Sequence, residues 1–366
     1  MKTLARKNIL SILPYQPGRP IAEVRRQYNL KEIIKLASNE NPFGASARAV
    51  SAIRKNLKYL GFYPDGNCFY LKKKLAAKLG VDSDYLAFGN GSNQLIELIL
   101  KAFLNEGEQV LISRPDFLIF KLATLQGGGV PVEIPLRNFN CDLKAIKGKI
   151  TKKTKIIFIA NPNNPVGTYV GRKSLESFLK KLPKSVIVVL DEAYFEFAKA
   201  RDYPNGINYI DSKNVIVLRT FSKAYGLAGL RIGYAIARPF FINCLNKVRQ
   251  PFNVNYLAQV GAEAALSDNS FLKKTLDTVD KQKLYLYSEL GGMKLEFIKS
   301  ATNFILFNCG HDSEYIFNQL LKKGIIVRSM KNYNLDMWIR VTVGKPTENQ
   351  KFIKALKKVL ETKDKK

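Results

Sequence analysis

Between residues 47 and 250, short apolar runs alternate with longer stretches of helical periodicity. The runs are 85–88 (YLAF), 109–112 (QVLI), 130–134 (VPVEI), 155–160 (KIIFIA), 186–190 (VIVVL), 215–218 (VIVL) and 232–236 (IGYAI). Most lack the polar alternation of a strand that is wet on one face. Both faces should therefore be covered, as in a parallel sheet with helices on either side. Strands alternating with helices predict an α/β layer fold. From about 251 the pattern changes. A long helical stretch at 270–290 precedes short strands at 303–307, 325–328 and 338–343 and a closing helix, which read as a smaller α+β domain. The turn-rich PYQPGRP (14–20) and a short helix after it belong to an N-terminal arm. The predicted division is 1–46 for the arm and part of the small domain, 47–250 for the large domain and 251–366 for the small one.

A chain of 366 residues, 46% hydrophobic, can build cores of this size. No run of about 18 apolar residues is present, so no membrane span is expected. The apolar piece Ile9 to Leu13 after Lys2, Arg6 and Lys7 is too short for a secretory leader, which predicts a cytoplasmic protein. Four dispersed cysteines (68, 141, 244, 309) and the single His311 make no zinc pattern, and no metal is expected. A net charge of +29 suggests nucleic acid as a partner, the reading of a different class. The basic residues, however, are spread along helix-like segments such as LKKKLAAK (71–78), the pattern of a solvated surface.

In open α/β sheets ligands bind beyond the carboxyl ends of the strands, so the residues after each run carry the chemical information. After YLAF comes GNGSNQ (89–94) and an apolar helix, a glycine-led helix start of the kind that holds phosphate. The spacing of Gly89, Gly91 and Gln94 lacks the third glycine of a dinucleotide site and the acidic residue that should follow it. After KIIFIA comes NPNNPVG (161–167), a rigid turn with amide side chains. Asp191 follows VIVVL, with Tyr194 three residues on. Thr220, Ser222 and Lys223 follow VIVL.

Together these residues suit one chemistry. A lysine among apolar groups loses proton affinity, and its neutral amine can form a Schiff base with an aldehyde. Pyridoxal phosphate needs such a lysine, a carboxylate opposite its ring nitrogen and a site for a dianion. Lys223 and Asp191 fit the first two needs. Gly91, Ser92, Asn93, Ser222 and Arg231, with Thr220 beside them, fit the third. Gly226 and Gly229 are expected to leave room for backbone to pack around the cofactor.

The same stretches carry a family resemblance. LPYQPGRP (13–20), KLASNENPFG (35–44), FYPD (62–65), NPNNPVGT (161–168), VVLDEAYFEF (188–197), TFSKAYGLAGLRIGY (220–234), GIIVR (324–328) and IRVTVG (339–344) span nearly the whole chain. The chain resembles the fold-type I pyridoxal-phosphate aminotransferases, and among them the histidinol-phosphate aminotransferase family. The resemblance implies a mostly parallel seven-stranded sheet flanked by helices. It makes Lys223 the Schiff-base lysine and proton carrier, and Asp191 the partner of the ring nitrogen. Asn164 and Tyr194 would bond the ring's phenolic oxygen, and Phe117 would stack on the ring. Arg340 would bind the substrate carboxylate and Arg328 a substrate phosphate, with Tyr15 closing that pocket. Tyr63 would reach the cofactor phosphate of a second subunit, which implies a homodimer with shared sites. The implied substrates are a phosphorylated amine or keto compound and L-glutamate, and the implied pathway is histidine biosynthesis. An aromatic amino-acid or phospho-amine transaminase, or an amino-acid phosphate decarboxylase, remains open within the family. Asp116 and Phe117 stand where the family often has Thr and Tyr, and Asp116 is expected to bring negative charge near an anionic site. Asn93 replaces a common Asp, which a phosphate held by backbone N–H groups should tolerate.

Overall fold

The structure is a computed structural model that describes residues 4–10, 12 and 21–364. Its centre is a seven-stranded sheet. From one edge to the other the strands are Leu86–Gly89, Gly233–Ile236, Val215–Thr220, Ile187–Asp191, Thr154–Ala160, Gln109–Arg114 and Val130–Pro135. All seven arise from the seven apolar runs. Neighbours pair in parallel except for Gly233–Ile236, which runs antiparallel to both of its neighbours. The three central strands are buried along almost their whole length, which explains why their sequences show no polar alternation.

One face of the sheet packs on the core around Leu71, Leu75, Ile157, Val188, Val217 and Ile236. The other packs on Leu95, Ile99, Phe120, Phe158, Val189 and Leu218, where Phe120 and Phe158 stack at 4.5 Å between centroids. Truncating a buried Ile or Leu in either layer to Ala costs about 2–5 kcal/mol.

The C-terminal part has its own core, built from Phe304, Phe307, Ile316, Leu320, Ile339, Phe352 and Leu356. The helix Asn269–Gly292 spans the segment read as helical, its N-terminus capped by the Asp268 carboxylate, which accepts from Phe271 N. A four-stranded antiparallel sheet follows, in the order Arg328–Ser329, Trp338–Thr342, Phe304–Asn308 and Phe297–Ile298. The single strand expected at 325–328 is divided. Ile325–Ile326 pairs in parallel with Ile34–Lys35, while Arg328–Ser329 joins the antiparallel sheet. The buried Val327 between them is the switch, and it ties residues 34–36 of the N-terminal segment to this part of the molecule.

Candidate active site

A cavity of about 200 Å³ opens at the carboxyl end of the central strands. Ala160, Asp191 and Thr220, each the last residue of its strand, form its floor. Ser92, Asn93, Phe117, Asn164, Tyr194, Ser222, Lys223 and Arg231 complete the walls, so most of the sequence-predicted set converges here. Gly91 sits directly behind, as the N-cap of the helix Ser92–Phe103. Arg328, Arg340 and Tyr63 are not part of this lining. Tyr15 lies outside the described residues.

The end of the cavity near Ser92 is built for an anion. The first N–H groups of the helix Ser92–Phe103 have no helical acceptor and carry the positive end of its dipole. Glycine is required twice to leave that turn bare. A Cβ on Gly91, which has φ +79°, would fall 2.5 Å from Arg231 Nη2, and one on Gly233 would fall 2.6 Å from Ser92 N. Arg231 itself holds a left-handed backbone with φ 55°, a conformation costly for any residue but glycine. Its Nη1 donates to Ser222 Oγ at 3.4 Å and to Ala228 O at 3.1 Å. A helix start, a hydroxyl and a guanidinium thus converge on one point, the donor set of a phosphate dianion.

Asp191 lies deeper, buried, with Oδ1 accepting from Ala193 N at 3.0 Å. Burial and the adjacent Glu192 charge push its carboxyl up to about 7, against the pull of the Ala193 N–H and Lys223. A cationic partner would restore its ionised form, and a protonated pyridine nitrogen is such a partner. Lys223 lies half-buried in the cavity wall, and its Nζ donates to Ser38 O at 3.1 Å. Its ammonium is brought down to about 8, first by loss of solvent and next by Arg340, with Arg231 adding to the effect. The reactive amine therefore depends on neighbouring cations as well as on burial.

The segment Leu36–Asn41 forms the remaining wall and was not assigned a role from sequence, although KLASNENPFG stood out as a motif. Its backbone carbonyls meet the charged groups: Ala37 O accepts from Arg340 Nη2 at 2.9 Å, and Ser38 O accepts from Lys223. Asn39 Nδ2 donates to Tyr194 Oη at 2.9 Å. Arg340 Nη1 donates to Asn164 Oδ1 at 2.5 Å, which fixes the Asn164 amide with its Nδ2 turned away from the guanidinium. Carbonyl contacts carry no side-chain signature, so only the motif as a whole could have signalled them.

Arg328 and Arg340 are direct partners across an antiparallel pair, on one face of the small sheet. Like charges placed opposite each other destabilise a sheet. Among the described residues Arg328 has neither ion pair nor hydrogen bond, so its charge is available to a ligand. Tyr63 is 84% exposed and stacks on Phe252 at 4.8 Å, outside the cavity of its own chain.

The expectation for Asp116 is corrected, and those for the two glycines divide. Asp116 does not bring charge to the cavity. It is buried, with Oδ1 accepting from Phe117 N at 2.8 Å and Asn163 Nδ2 at 3.1 Å, while Oδ2 has no hydrogen-bond partner among the described residues. Burial raises its carboxyl well above the usual range, with Asp191 adding to the effect, which favours its neutral form. Gly226 leaves room for backbone as expected: a Cβ there would fall 1.9 Å from Gly44 O, so it admits the N-terminal segment, whereas Gly229 faces open space.

The donors and acceptors fit pyridoxal phosphate: a dianion cradle, a carboxylate with a raised pKa, an amine with a lowered one and the Phe117 ring as a flat wall. Comparisons with known proteins agree. The family described as aminotransferase class I and II matches residues 31–356. A histidinol-phosphate aminotransferase of Moorella thermoacetica is 46% identical over 97% of this chain and 92% of its own length. A second such enzyme, from Hydrogenovibrio crunogenus, is 47% identical over 96% of this chain and 95% of its own. The crystal structure of histidinol-phosphate aminotransferase from Sinorhizobium meliloti in complex with pyridoxal-5'-phosphate superposes with a TM-score of 0.91 at 30% identity, covering 99% of each chain.

Proposed function

The chain belongs to the class I and II aminotransferases, and from that premise we propose that it is a pyridoxal-phosphate-dependent histidinol-phosphate transaminase of histidine biosynthesis. It converts imidazole-acetol phosphate and L-glutamate to L-histidinol phosphate and 2-oxoglutarate. The observation that carries the substrate assignment is the Arg328–Arg340 pair, two arginines opposed across one face of the small sheet, where an anionic ligand would offset the repulsion of like charges.

Bound in the cavity, pyridoxal phosphate supplies an aldehyde carbon and a protonated ring that accepts electrons. The protein's own groups do the rest. Ser92, Asn93, Ser222, Thr220 and Arg231 hold the cofactor's phosphate, and Phe117 covers its ring. The Asp191 carboxylate keeps a proton on the ring nitrogen. Asn164 Nδ2 and the Tyr194 hydroxyl donate to the ring's phenolic oxygen. Lys223 Nζ would take the proton from the substrate's amine-bearing carbon and return it on the far side of the transferred nitrogen. A pKa of about 8 leaves an appreciable neutral fraction at neutral pH and a conjugate acid able to return the proton. Arg340 takes glutamate's α-carboxylate and Arg328 the phosphate of histidinol phosphate.

The same reading makes the protein a cytoplasmic homodimer in which Tyr63 reaches the partner's site. Phe62, Tyr63, Phe69 and Tyr70 support it, an aromatic cluster more than half exposed on a single chain and of the kind that marks an interface. The substrate assignment is tested by assaying purified protein on histidinol phosphate, phenylalanine, tyrosine and phosphothreonine, each with 2-oxoglutarate. Histidinol phosphate should give the highest kcat/KM, and a preference for an unphosphorylated amino acid would overturn the assignment.

A further inference from the structure

Three buried groups behind the cavity form a closed hydrogen-bond arrangement. Asn39, Tyr194 and Thr342 are 2%, 3% and 4% exposed, so no bulk water competes for their polar atoms. Asn39 N donates to Thr342 Oγ1 at 2.9 Å. Thr342 Oγ1 lies 3.1 Å from Asn39 Oδ1, and Asn39 Nδ2 lies 2.9 Å from Tyr194 Oη. Asn303 Nδ2 holds the Asn39 carbonyl at 3.0 Å, which fixes the backbone.

The hydrogens run in one direction. The Thr342 hydroxyl accepts from the Asn39 backbone N–H and gives its single hydrogen to Asn39 Oδ1. That choice sets the amide flip, with Nδ2 facing Tyr194. An amide nitrogen only donates, so the tyrosine oxygen must accept. Asn39 is the only hydrogen-bond partner of Tyr194 among the described residues, so the single Tyr194 hydrogen points elsewhere, and Tyr194 borders the cavity beside Asp191 and Lys223.

We propose that Asn39 and Thr342 are positioning residues that fix the Tyr194 hydroxyl as a hydrogen-bond donor directed into the cavity. Thr342 sets the Asn39 amide, and Asn39 in turn closes off the one alternative direction for the phenol's hydrogen. Burial holds the phenol up at about 12, so it stays a neutral donor throughout the working range. The inference rests on the proposed function, in which Tyr194 donates to the phenolic oxygen of the cofactor. Loss of that donor makes the phenolic oxygen more basic and raises the pH at which the bound cofactor gives up the proton responsible for its visible absorbance change.

The experiment compares holoproteins by visible absorbance against pH and by cofactor Kd from fluorescence. Tyr194→Phe is the reference, expected to raise the midpoint by about one pH unit, the size of one hydrogen bond to an anionic acceptor. Asn39→Asp keeps the shape but presents an acceptor to Tyr194 and draws its hydrogen back. Thr342→Val releases the amide to flip. Both should move the midpoint upward as Tyr194→Phe does, and Thr342→Ser, which keeps the hydroxyl, should restore the wild-type midpoint. Wild-type midpoints in Asn39→Asp and Thr342→Val beside a shifted Tyr194→Phe would overturn the positioning role alone. An unmoved Tyr194→Phe overturns the donor role of Tyr194 and the proposal with it, and a protein that binds no pyridoxal phosphate overturns the function beneath both. If Asn39→Asp does not fold, the Thr342→Val and Thr342→Ser pair decides the matter.

Discussion

Two arginine sites of the molecule have opposite fates. Arg219, 2% exposed, is saturated. Its Nε and Nη2 meet Glu192 Oε2 at 3.0 and 2.8 Å, Nη2 also meets Asn205 Oδ1 at 2.7 Å, and Phe195 lies under the guanidinium at 3.4 Å. Its charge is consumed by the fold. Among the described residues Arg328 has no such partner, and the residue opposite it is another arginine. A buried cation that the chain neutralises is structure, whereas one that the chain leaves open, at a cost in stability, is held for a ligand. Lys223 belongs with the open group, held by one backbone carbonyl and depressed by burial and then by neighbouring cations.

The distinction predicts that open groups govern chemistry and closed ones stability. The largest effect should come from Lys223→Ala, which removes the proton carrier. Turnover should fall by at least about 10²–10⁴-fold, the span of general acid–base catalysis, with Tm nearly unchanged. Borohydride reduction of the holoprotein should place the cofactor on Lys223 and on no other lysine. A pH signature goes with it. Below about 8 the amine is mostly protonated, so the rate at which cofactor-stripped protein captures pyridoxal phosphate should fall about tenfold per pH unit and level off above that value. Capture independent of pH from 6 to 9 would contradict the lowered pKa.

Closed groups should do the reverse. Arg219→Ala leaves the Glu192 carboxylate buried and unpaired, a loss of about 3–5 kcal/mol measurable by denaturant unfolding. Whatever fraction remains folded should keep its substrate preference. Arg328→Ala comes next in size. It should lower kcat/KM for histidinol phosphate by about 10- to 100-fold, the equivalent of 1.5–3 kcal/mol for a charge-assisted bond, without loss of stability. Equal losses on an unphosphorylated amino acid would show that Arg328 does not read the phosphate.

How much of this was legible in the sequence follows the same division. Strand-end residues such as Asp191, Thr220 and Lys223 could be found because a buried apolar run announces where the carboxyl edge lies, and the edge is where ligands bind. Contacts made by backbone could not be found. Ala37 O and Ser38 O act through groups that every residue possesses, and Asn39 meets Thr342 across a sequence separation of 303. The division of 325–328 between two sheets was invisible for a related reason: a run of apolar residues shows burial but not which neighbour it pairs with. Asp116 was misjudged as a charge because formal sign can be read from sequence while burial cannot.

Asp116 also gives the smallest effect and the finest test of the comparison, since it is a potential charge that the fold closes off by neutralising it instead of pairing it. In the unfolded chain its carboxyl ionises near the usual aspartate value. In the folded protein, burial and the neighbouring Asp191 hold it well above that value. The folded state therefore binds one more proton than the unfolded state between the two values. Its contribution is complete below the unfolded pKa and is lost as pH rises through the folded one. Asp116→Asn keeps the shape, still accepts from Phe117 N and Asn163 Nδ2, and has no proton to lose. The variant should match the wild type near pH 4 and become progressively the more stable of the two from pH 5 to 8. The margin is smaller than the Arg219 loss. The difference between the two unfolding curves cancels the titrating groups that do not interact with Asp116, Glu196 among them. A wild type that gains on the variant as pH rises would mean that Asp116 is ionised in the folded protein. The buried Oδ2 would then need a cationic partner, and the site would carry the negative charge that its sequence first suggested.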